Sequence, residues 1–214
     1  MSNCHADCAL ERHFGHQKAR DQLADYRSGG PDPLTRIALA LLRAQPIDGV
    51  RLLDVGGGIG VLGRELLRGP VTAVTIVEES SAYLSVARDQ AERDGTLARW
   101  RFVQGDFVEC AADAGPADLA TLHRVVCCYP DYEALLDTVA ATGARWVLLS
   151  YPRERWYVRA ALWLEDLANR VRGDPFRSRV HPEKGIARRM HAGGYRRVSD
   201  VVTWFWRVEV YAGP

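Results

Sequence analysis

One short segment of the chain combines a carboxylate with closely spaced glycines. Residues 51–63 read RLLDVGGGIGVLG, in which Asp54 ends an apolar run and a glycine-rich turn follows. Glycine has no side chain, so such a turn lets the backbone come very close to a small ligand. The glycines are Gly56, Gly57, Gly58, Gly60 and Gly63. The segment therefore predicts a ligand-binding turn with a carboxylate beside it.

Two kinds of ligand fit this turn. Gly58, Gly60 and Gly63 satisfy the G-x-G-x-x-G pattern of dinucleotide sites, and Glu78 follows at the distance expected of a ribose-binding acid. Asp54 favours a different ligand, because a carboxylate placed beside a pyrophosphate would repel it. A ligand that carries an ammonium or sulfonium cation would instead be attracted to Asp54.

The elements around this turn predict an α/β fold. Apolar segments bounded by turn residues alternate with segments of helical spacing, which indicates βαβ units and a parallel sheet covered on both faces. The predicted strands are 51–55, 71–77, 101–104, 119–125, 146–150, 195–202 and 205–211. The predicted helices are 10–26, 33–43, 59–67, 81–93, 132–141, 154–171 and 182–191.

No repeat and no linker divides the chain, so residues 1–214 are predicted to form one domain. Within it, residues 1–48 supply N-terminal helices, residues 49–150 form the ligand-binding core, and residues 151–214 add a helical insertion and a closing hairpin.

The glycine turn resembles the first motif of the class I S-adenosylmethionine-dependent methyltransferases. That motif is an apolar strand followed by Asp/Glu-x-Gly-x-Gly-x-Gly, and Asp54, Gly56, Gly58 and Gly60 match each of its positions. The resemblance covers residues 51–150, because two further motifs follow in order.

The second and third motifs carry the ribose and adenine contacts of that family. Glu78 ends the second strand, where the resemblance implies an acid that holds the ribose hydroxyls; Glu79 is the alternative for this role. Gly105 and Asp106 in RFVQGDF match the pair whose Asp meets the adenine amino group, and Phe107 is either a wall of that pocket or a core residue.

The resemblance implies both a topology and a cofactor. It implies a Rossmann-like, doubly wound sheet, mostly parallel, with strand order 3-2-1-4-5-7-6, a C-terminal antiparallel hairpin and an N-terminal helical lid. S-adenosylmethionine is the implied cofactor, and Tyr26 would contact its methionine end if the first helix folds over it. The layout after the fourth strand and the N-terminal helix also resemble the porphyrin carboxyl methyltransferases more loosely.

The acceptor is expected beyond the carboxyl end of the fourth strand, because ligands of doubly wound sheets bind there. His123 is the candidate general base, since its unperturbed pKa lies near neutrality, or it forms a hydrogen bond to cofactor or backbone. The other predicted acceptor contacts are Arg124, Cys128, Tyr129, Tyr151 and Trp156. Trp156 and Trp163 share one helix face, which forms an apolar lid or packs onto the sheet.

A small organic acceptor methylated at oxygen is the favoured reaction, with carbon and sulfur open. The chain lacks the Asp/Asn-Pro-Pro-Tyr/Phe signature with which amino-group methyltransferases of this family hold nitrogen. Two rival functions stay open: an NAD-dependent oxidoreductase that uses the glycine turn, and an inactive methyltransferase-like module that serves as a partner subunit.

Composition limits the partners and the compartment. The formal net charge is +1, so no overall field attracts nucleic acid or an anionic membrane, and no apolar run is long enough for a membrane span. The N-terminus has no apolar signal region, which predicts a cytoplasmic protein. We expect this protein to be a monomer or a homodimer. No metal is expected, although Cys4 and Cys8 with His13 and His16 form a zinc alternative.

Overall fold

A computed structural model describes residues 13–174 and 176–214. Seven strands form one sheet in the order β3-β2-β1-β4-β5-β7-β6. The strands are β1 (Val50–Val55), β2 (Val71–Glu78), β3 (Trp100–Gln104), β4 (Leu119–His123), β5 (Trp146–Pro152), β6 (Arg196–Val202) and β7 (Trp206–Ala212). The first five pair in parallel, and β7 is antiparallel to both β5 and β6. The predicted fold class and strand order are confirmed.

Helices cover both faces of the sheet. In chain order they are α1 (His16–Gly29), α2 (Pro33–Arg43), α3 (Val61–Leu67), α4 (Ser81–Arg93), α5 (Phe107–Ala114), α6 (Tyr132–Ala141), α7 (Trp156–Val171) and α8 (Glu183–Ala192). The bounds of α2, α4 and α6 are those predicted. Helix α5 was not predicted from the sequence, because Asp106 was assigned to a ligand-binding motif whereas it also caps this helix. None of the helices in the described ranges has the length and apolarity to cross a membrane.

Alternate residues of the central strands fill two separate cores. Leu52 and Leu148 pack into the core on one face of the sheet, whereas the adjacent Leu53 and Leu149 pack into the core on the other. All seven residues of β5 are buried. A strand that is covered on both faces has a continuous apolar sequence, which is why the central strands were recognisable from the sequence.

The fourth strand ends two residues earlier than predicted. Arg124 has a φ of 64°, a left-handed conformation that a residue with a side chain rarely adopts, and this turns the chain away from the sheet after His123. A short 3₁₀ helix over Val126–Cys128 follows. His123 is therefore the last residue of the strand, and Arg124 and Cys128 follow in the turn and the 3₁₀ helix.

The first helix packs on α4, and the second packs on one face of the sheet. Ala19 and Leu23 of α1 pack with Tyr83 of α4 in a small separate core. α2 begins at Pro33, and the Asp32 side chain caps it by accepting hydrogen bonds from the Leu34 and Thr35 amides. The start of α2 is thereby held next to the end of β4.

Candidate active site

A cleft of about 690 Å³ opens at the carboxyl ends of β1, β2 and β4, the position expected for ligands of a doubly wound sheet. This volume lies within the usual range of small-molecule sites. The predicted site residues that line the cleft are Asp54, Gly56, Gly57, Gly58, Glu78, Asp106, Phe107, His123, Arg124, Cys128 and Tyr129. One cleft therefore brings together residues that are up to 75 positions apart in the chain.

The glycine turn between β1 and α3 requires glycine for two reasons. Gly56 and Gly58 have φ values of 59° and 57°, which favour glycine. At Gly57 the obstacle is space, because an added Cβ would lie 2.6 Å from Oδ2 of Asp54 and 2.8 Å from Ile76. The backbone of this turn therefore packs directly against the carboxylate that precedes it.

Asp54 is a buried carboxylate whose hydrogen bonding is incomplete. Its side chain is almost fully buried at the end of β1, and Oδ1 accepts a 2.6 Å hydrogen bond from the Thr121 hydroxyl. Oδ2 is buried and has no hydrogen-bond partner among the described residues. Burial raises the pKa of Asp54 to about 7, and the nearby Glu78 carboxylate adds to this rise. An unpartnered buried carboxylate oxygen beside a ligand cleft fits a ligand that supplies a cation or a hydrogen-bond donor.

Glu78 is oriented by backbone amides at the end of β2. Its Oε2 accepts from the Gly58 amide at 3.0 Å, and its Oε1 accepts from the Ser80 amide at 2.9 Å. Burial raises the pKa of Glu78, and these amide hydrogen bonds partly offset that rise. The carboxylate therefore connects the glycine turn to the start of α4 and lines the cleft between them.

Asp106 forms a third fixed carboxylate on the cleft wall. Its Oδ1 caps α5 by accepting from the Val108 amide at 2.8 Å, and it also accepts from the Tyr129 hydroxyl at 2.6 Å. The adjacent Phe107 is buried in the core and also lines the cleft, so the two interpretations of this residue both apply. Tyr129 thus positions Asp106 from the turn after β4.

Both ring nitrogens of His123, the predicted general base, are held by side-chain hydroxyls. The Thr35 hydroxyl donates to Asp32 at 2.7 Å, so its oxygen is left to accept the hydrogen of His123 Nε2 at 3.1 Å. Nδ1 then accepts from the Ser150 hydroxyl at 2.9 Å. Burial, together with the neighbouring Arg124, lowers the pKa of His123 to about 3. A neutral imidazole with both nitrogens engaged favours a structural link over a base, and its partners are side chains, neither the cofactor nor the backbone that the alternative named.

Arg124 and Cys128 complete the wall after β4. The Arg124 guanidinium binds the Asp32 carboxylate at 2.5 Å, and its backbone amide donates to the Ser150 hydroxyl at 2.8 Å. These contacts hold the left-handed turn in place. A hydrogen bond between the Cys128 and Cys127 thiols, together with burial, raises the pKa of Cys128, so this thiol stays protonated.

Asp32 and Thr35 are cleft residues that the sequence analysis missed. The Asp-Pro pair at 32–33 was interpreted only as the start of a helix, which it is. The contacts of Asp32 with Arg124 and of Thr35 with His123 join positions 88 to 92 residues apart. No local pattern in the sequence signals these contacts.

Four predicted site residues lie outside the cleft lining. The Tyr26 hydroxyl donates to Glu65 at 2.6 Å, and the buried Tyr151 hydroxyl donates to Glu209 at 2.7 Å. Gly60 packs against Trp100 at the start of α3. Trp156 is 80% exposed on α7, so the predictions that it lines the acceptor site or packs onto the sheet are both wrong. Each of these four residues therefore faces a neighbouring residue or solvent outside the cleft.

The zinc alternative falls largely outside the described residues, where Cys4 and Cys8 lie. His13 is described, and its ring contacts the Asp174 carboxylate, Lys18 and the stacked Phe176 ring. Among residues 13–174 and 176–214, no group of three metal-binding side chains is present.

Comparison with known proteins identifies the family. A family model described as a methyltransferase domain matches residues 18–200. The chain belongs to this methyltransferase family. Its fold, with the strand order given above, is that of the class I S-adenosylmethionine-dependent members. The dinucleotide interpretation of the glycine turn gains no support from this match.

The methyltransferase is similar to curated and structurally characterised proteins. It is 30% identical over 139 residues to a ubiquinone/menaquinone biosynthesis C-methyltransferase from Stutzerimonas stutzeri (strain A1501), covering 62% of this chain and 54% of that protein. The chain thus spans about half the length of this curated relative.

Two solved structures illustrate the likeness in fold. Magnesium protoporphyrin IX methyltransferase from Synechocystis PCC 6803, solved with bound SAH, matches with a TM-score of 0.69 and 18% identity over 89% of this chain and 86% of that one. The [4+2]-cyclase SpnF matches with a TM-score of 0.65 and 14% identity over 84% and 81%. At these identities the likeness shows the fold alone.

Proposed function

We propose that this methyltransferase holds S-adenosylmethionine in the 690 Å³ cleft and methylates an oxygen atom of a small organic acceptor. The observation that carries the proposal is Asp54, whose Oδ2 is buried at the cleft without a partner among the described residues. The α-ammonium group of the cofactor supplies the missing charge. A buried carboxylate with a raised pKa is a common mark of a functional site.

Each fixed carboxylate of the cleft receives one part of the cofactor in this proposal. Asp54 faces the α-ammonium group, Glu78 accepts from the ribose hydroxyls, and Asp106 accepts from the adenine amino group, with Phe107 as the adenine wall. When bound, the cofactor supplies an electrophilic methyl group on a sulfonium. The three carboxylates lie at the ends of β1 and β2 and at the start of α5, so the sheet itself sets their separation.

The acceptor side of the cleft favours an atom that is already ionised at neutral pH. His123 is neutral with both ring nitrogens engaged, and burial raises the pKa of both Cys128 and Tyr129. These three groups are therefore poor bases for removing a proton from a weakly acidic alcohol. A carboxylate or an acidic phenol needs no such base, and the Arg124 guanidinium, which also pairs with Asp32, lies at the same wall to bind it.

Methylation at carbon is a second candidate. It is favoured by the 30% identity to a protein named as a quinone-biosynthesis C-methyltransferase. The fold match to a protein named as a cyclase also shows why the chemistry must be measured and not inferred from the fold.

A binding measurement and a methyl-transfer screen together test the proposal. Calorimetry should show saturable binding of S-adenosylmethionine and none of NAD; the reverse result would contradict it. The screen measures formation of the demethylated cofactor with small carboxylates, phenols, quinols, alcohols and thiols. Turnover of carboxylates or acidic phenols is expected, turnover only of quinols at carbon would favour the second candidate, and cofactor binding without any turnover would favour the inactive module.

A further inference from the structure

An apolar stripe runs along the outer face of α7. The helix buries Val158, Leu162 and Asn169 against the rest of the molecule. The opposite side carries exposed apolar side chains, including Trp156 at 80%, Trp163 at 62% and Val171 at 83% exposure. We call this surface the α7 stripe; its residues are Trp156, Ala160, Trp163, Leu164, Leu167 and Val171.

The α7 stripe is large for a surface that faces water. At 3.6 residues per turn its six residues fall within an arc of about 100°, and the helix is roughly 24 Å long. Trp204, which is 69% exposed, extends the stripe because its ring stacks on Tyr157 at 4.9 Å. With about 200 Å² per indole side chain, the three exposed tryptophans alone present on the order of 400 Å². An apolar area of that size matches the largest patch on a typical monomer, which is often functional.

The positions of the stripe residues are symmetric about the point between Trp163 and Leu164. If two α7 helices pack antiparallel across a two-fold axis at this point, Trp163 meets Leu164 of the partner subunit. Ala160 then meets Leu167 of the partner subunit, and Trp156 meets Val171 of the partner subunit. Each pair joins a larger side chain to a smaller one, as an interdigitated interface requires. A surface that matches itself in this way fits a second copy of the same chain.

Charged side chains flank the stripe along one edge. They are Arg159, Asp166 and Arg170; within one chain Arg159 pairs with Glu154, and Asp166 pairs with Arg170 and Arg177. The two-fold axis brings Arg159 of one copy near Asp166 of the partner subunit, and the reverse. On the other edge the helix carries Tyr157, Ala161 and Ala168, which are uncharged. The edge therefore presents both signs of charge to its copy across the axis. An anionic lipid surface would instead favour edges with basic residues only.

We propose that the α7 stripe is the interface of an antiparallel, two-fold symmetric homodimer of this chain. The interface centres on Trp163 and Leu164, and Trp204 enlarges it at each end. Its formation does not depend on the identity of the acceptor, so it can be tested independently of the proposed reaction.

The molecular mass in solution gives the first test. Sedimentation of the full chain should yield twice the 23.8 kDa chain mass. Leu164→Glu places a charge at the centre of the interface and should raise the dimer dissociation constant roughly 100-fold or more. Leu97→Glu is the matched control, because Leu97 is an exposed leucine in the turn before β3 and away from the stripe. Circular dichroism should show both variants folded.

Cysteine cross-linking tests the antiparallel register. Leu164→Cys lies next to the axis, so two copies should form a disulfide-linked dimer under mild oxidation that the parent chain does not form. Trp156→Cys should not, because its two copies are separated by about 22 Å along the helices. Cross-linking of Trp156→Cys instead would indicate parallel helices and overturn the proposed arrangement.

Three results would overturn the proposal itself. One is a parent chain that stays monomeric at chain concentrations up to ~100 µM. A second is a monomer that sediments with anionic phospholipid vesicles and loses this behaviour in Leu164→Glu, which would assign the stripe to a lipid surface. The third is a dimer that forms only after residues 1–12 are removed, which would show that this segment of the same chain covers the stripe.

Discussion

Nε2 of His123 lies 3.1 Å from the Thr35 hydroxyl oxygen, which joins the end of β4 to the first turn of α2. The same two segments are joined again by the Arg124 guanidinium and the Asp32 carboxylate. The His123 side chain therefore links the end of β4 to the first turn of α2 by a hydrogen bond. Its role in the cleft is to hold the wall in position.

We predict that His123→Gln retains turnover within about tenfold of the parent chain, since a positioning residue is lost and not a base. A base would cost 10²–10⁴-fold and would leave a titration near neutrality in the pH–rate profile. Steady-state kinetics from pH 5.5 to 8.5 distinguish the two outcomes. A loss of more than 100-fold, combined with disappearance of an acidic limb, would restore His123 as the base.

The same substitution should change how stability depends on pH. The folded-state pKa of His123 is about 3, below the ordinary value of 6.5, so the unfolded chain binds the proton more readily. The contribution of His123 to the free energy of unfolding is complete above pH 6.5 and is lost as the pH falls toward 3. Between pH 7 and pH 5 this loss is about 2 kcal/mol. Urea denaturation at both pH values should show this loss in the parent chain relative to His123→Gln. An identical pH dependence in both proteins would contradict the neutral, buried histidine.

We predict opposite effects of Asp54→Asn on binding and on stability. Removing the charge should weaken S-adenosylmethionine binding by roughly 100-fold or more in calorimetry, because the α-ammonium group loses its counter-charge. The folded-state pKa of Asp54 is raised, so its ionisation destabilises the folded protein as the pH rises from 3.8 through about 7. At pH 8 the variant should therefore be more stable than the parent, by up to about 4 kcal/mol.

Asp48→Asn is the matched control for this variant, since Asp48 is exposed just before β1 and outside the cleft lining. It should change neither cofactor affinity nor stability measurably. Unchanged cofactor affinity in Asp54→Asn would remove the assignment of Asp54 to the ammonium group.

Gly57→Ala should damage the glycine turn through its new methyl group alone. The added Cβ would lie 2.6 Å from Asp54 Oδ2 and 2.8 Å from Ile76, so the turn must shift. We expect a stability loss of about 1–3 kcal/mol and a large loss of cofactor binding. Gly29→Ala is the control, because a Cβ there would meet nothing within 4 Å and the residue ends helix α1. Equal behaviour of the two variants in thermal unfolding would contradict the close packing.

Tyr129→Phe should weaken cofactor binding without removing a side chain from the cleft. The lost hydroxyl donates to Asp106 at 2.6 Å, so the variant should be about 1 kcal/mol less stable and should bind S-adenosylmethionine severalfold more weakly. Tyr132→Phe is the control, since its hydroxyl makes an exposed 3.2 Å bond to the adjacent Glu133. If both variants bind the cofactor equally well, Asp106 does not depend on Tyr129 for its position.

The sequence predicted the elements whose signals are local. Three of these signals lie within 28 residues: the apolar run before Asp54, the glycine turn and the acid at Glu78. Each of them is tied to the end of a strand in a parallel sheet. The alternation of strands and helices predicted a parallel α/β sheet, and the strand order came from the resemblance to the class I methyltransferases. The structure confirms this part of the fold, from β1 through the antiparallel pair of β6 and β7.

The sequence did not predict contacts between distant segments. The link from Thr35 to His123 spans 88 residues, and only the fold brings the two together. The apolar face of α7 was misassigned for a related reason. A helical apolar pattern indicates that one face is shielded from water, but it does not indicate which surface shields it. Trp156 and Trp163 have the spacing of core residues, yet most of both side chains is exposed to solvent.

The cleft has two walls of separate origin. One consists of strand ends and the glycine turn, whose side chains are fixed by the sheet. The opposite wall comes from residues 13–48 and meets the first wall through Asp32, Thr35, His123 and Arg124. An N-terminal segment taken from a related chain should therefore close the same cleft only if it carries counterparts of Asp32 and Thr35, because His123 and Arg124 belong to the first wall. The strand ends and the glycine turn would stay unchanged by such an exchange.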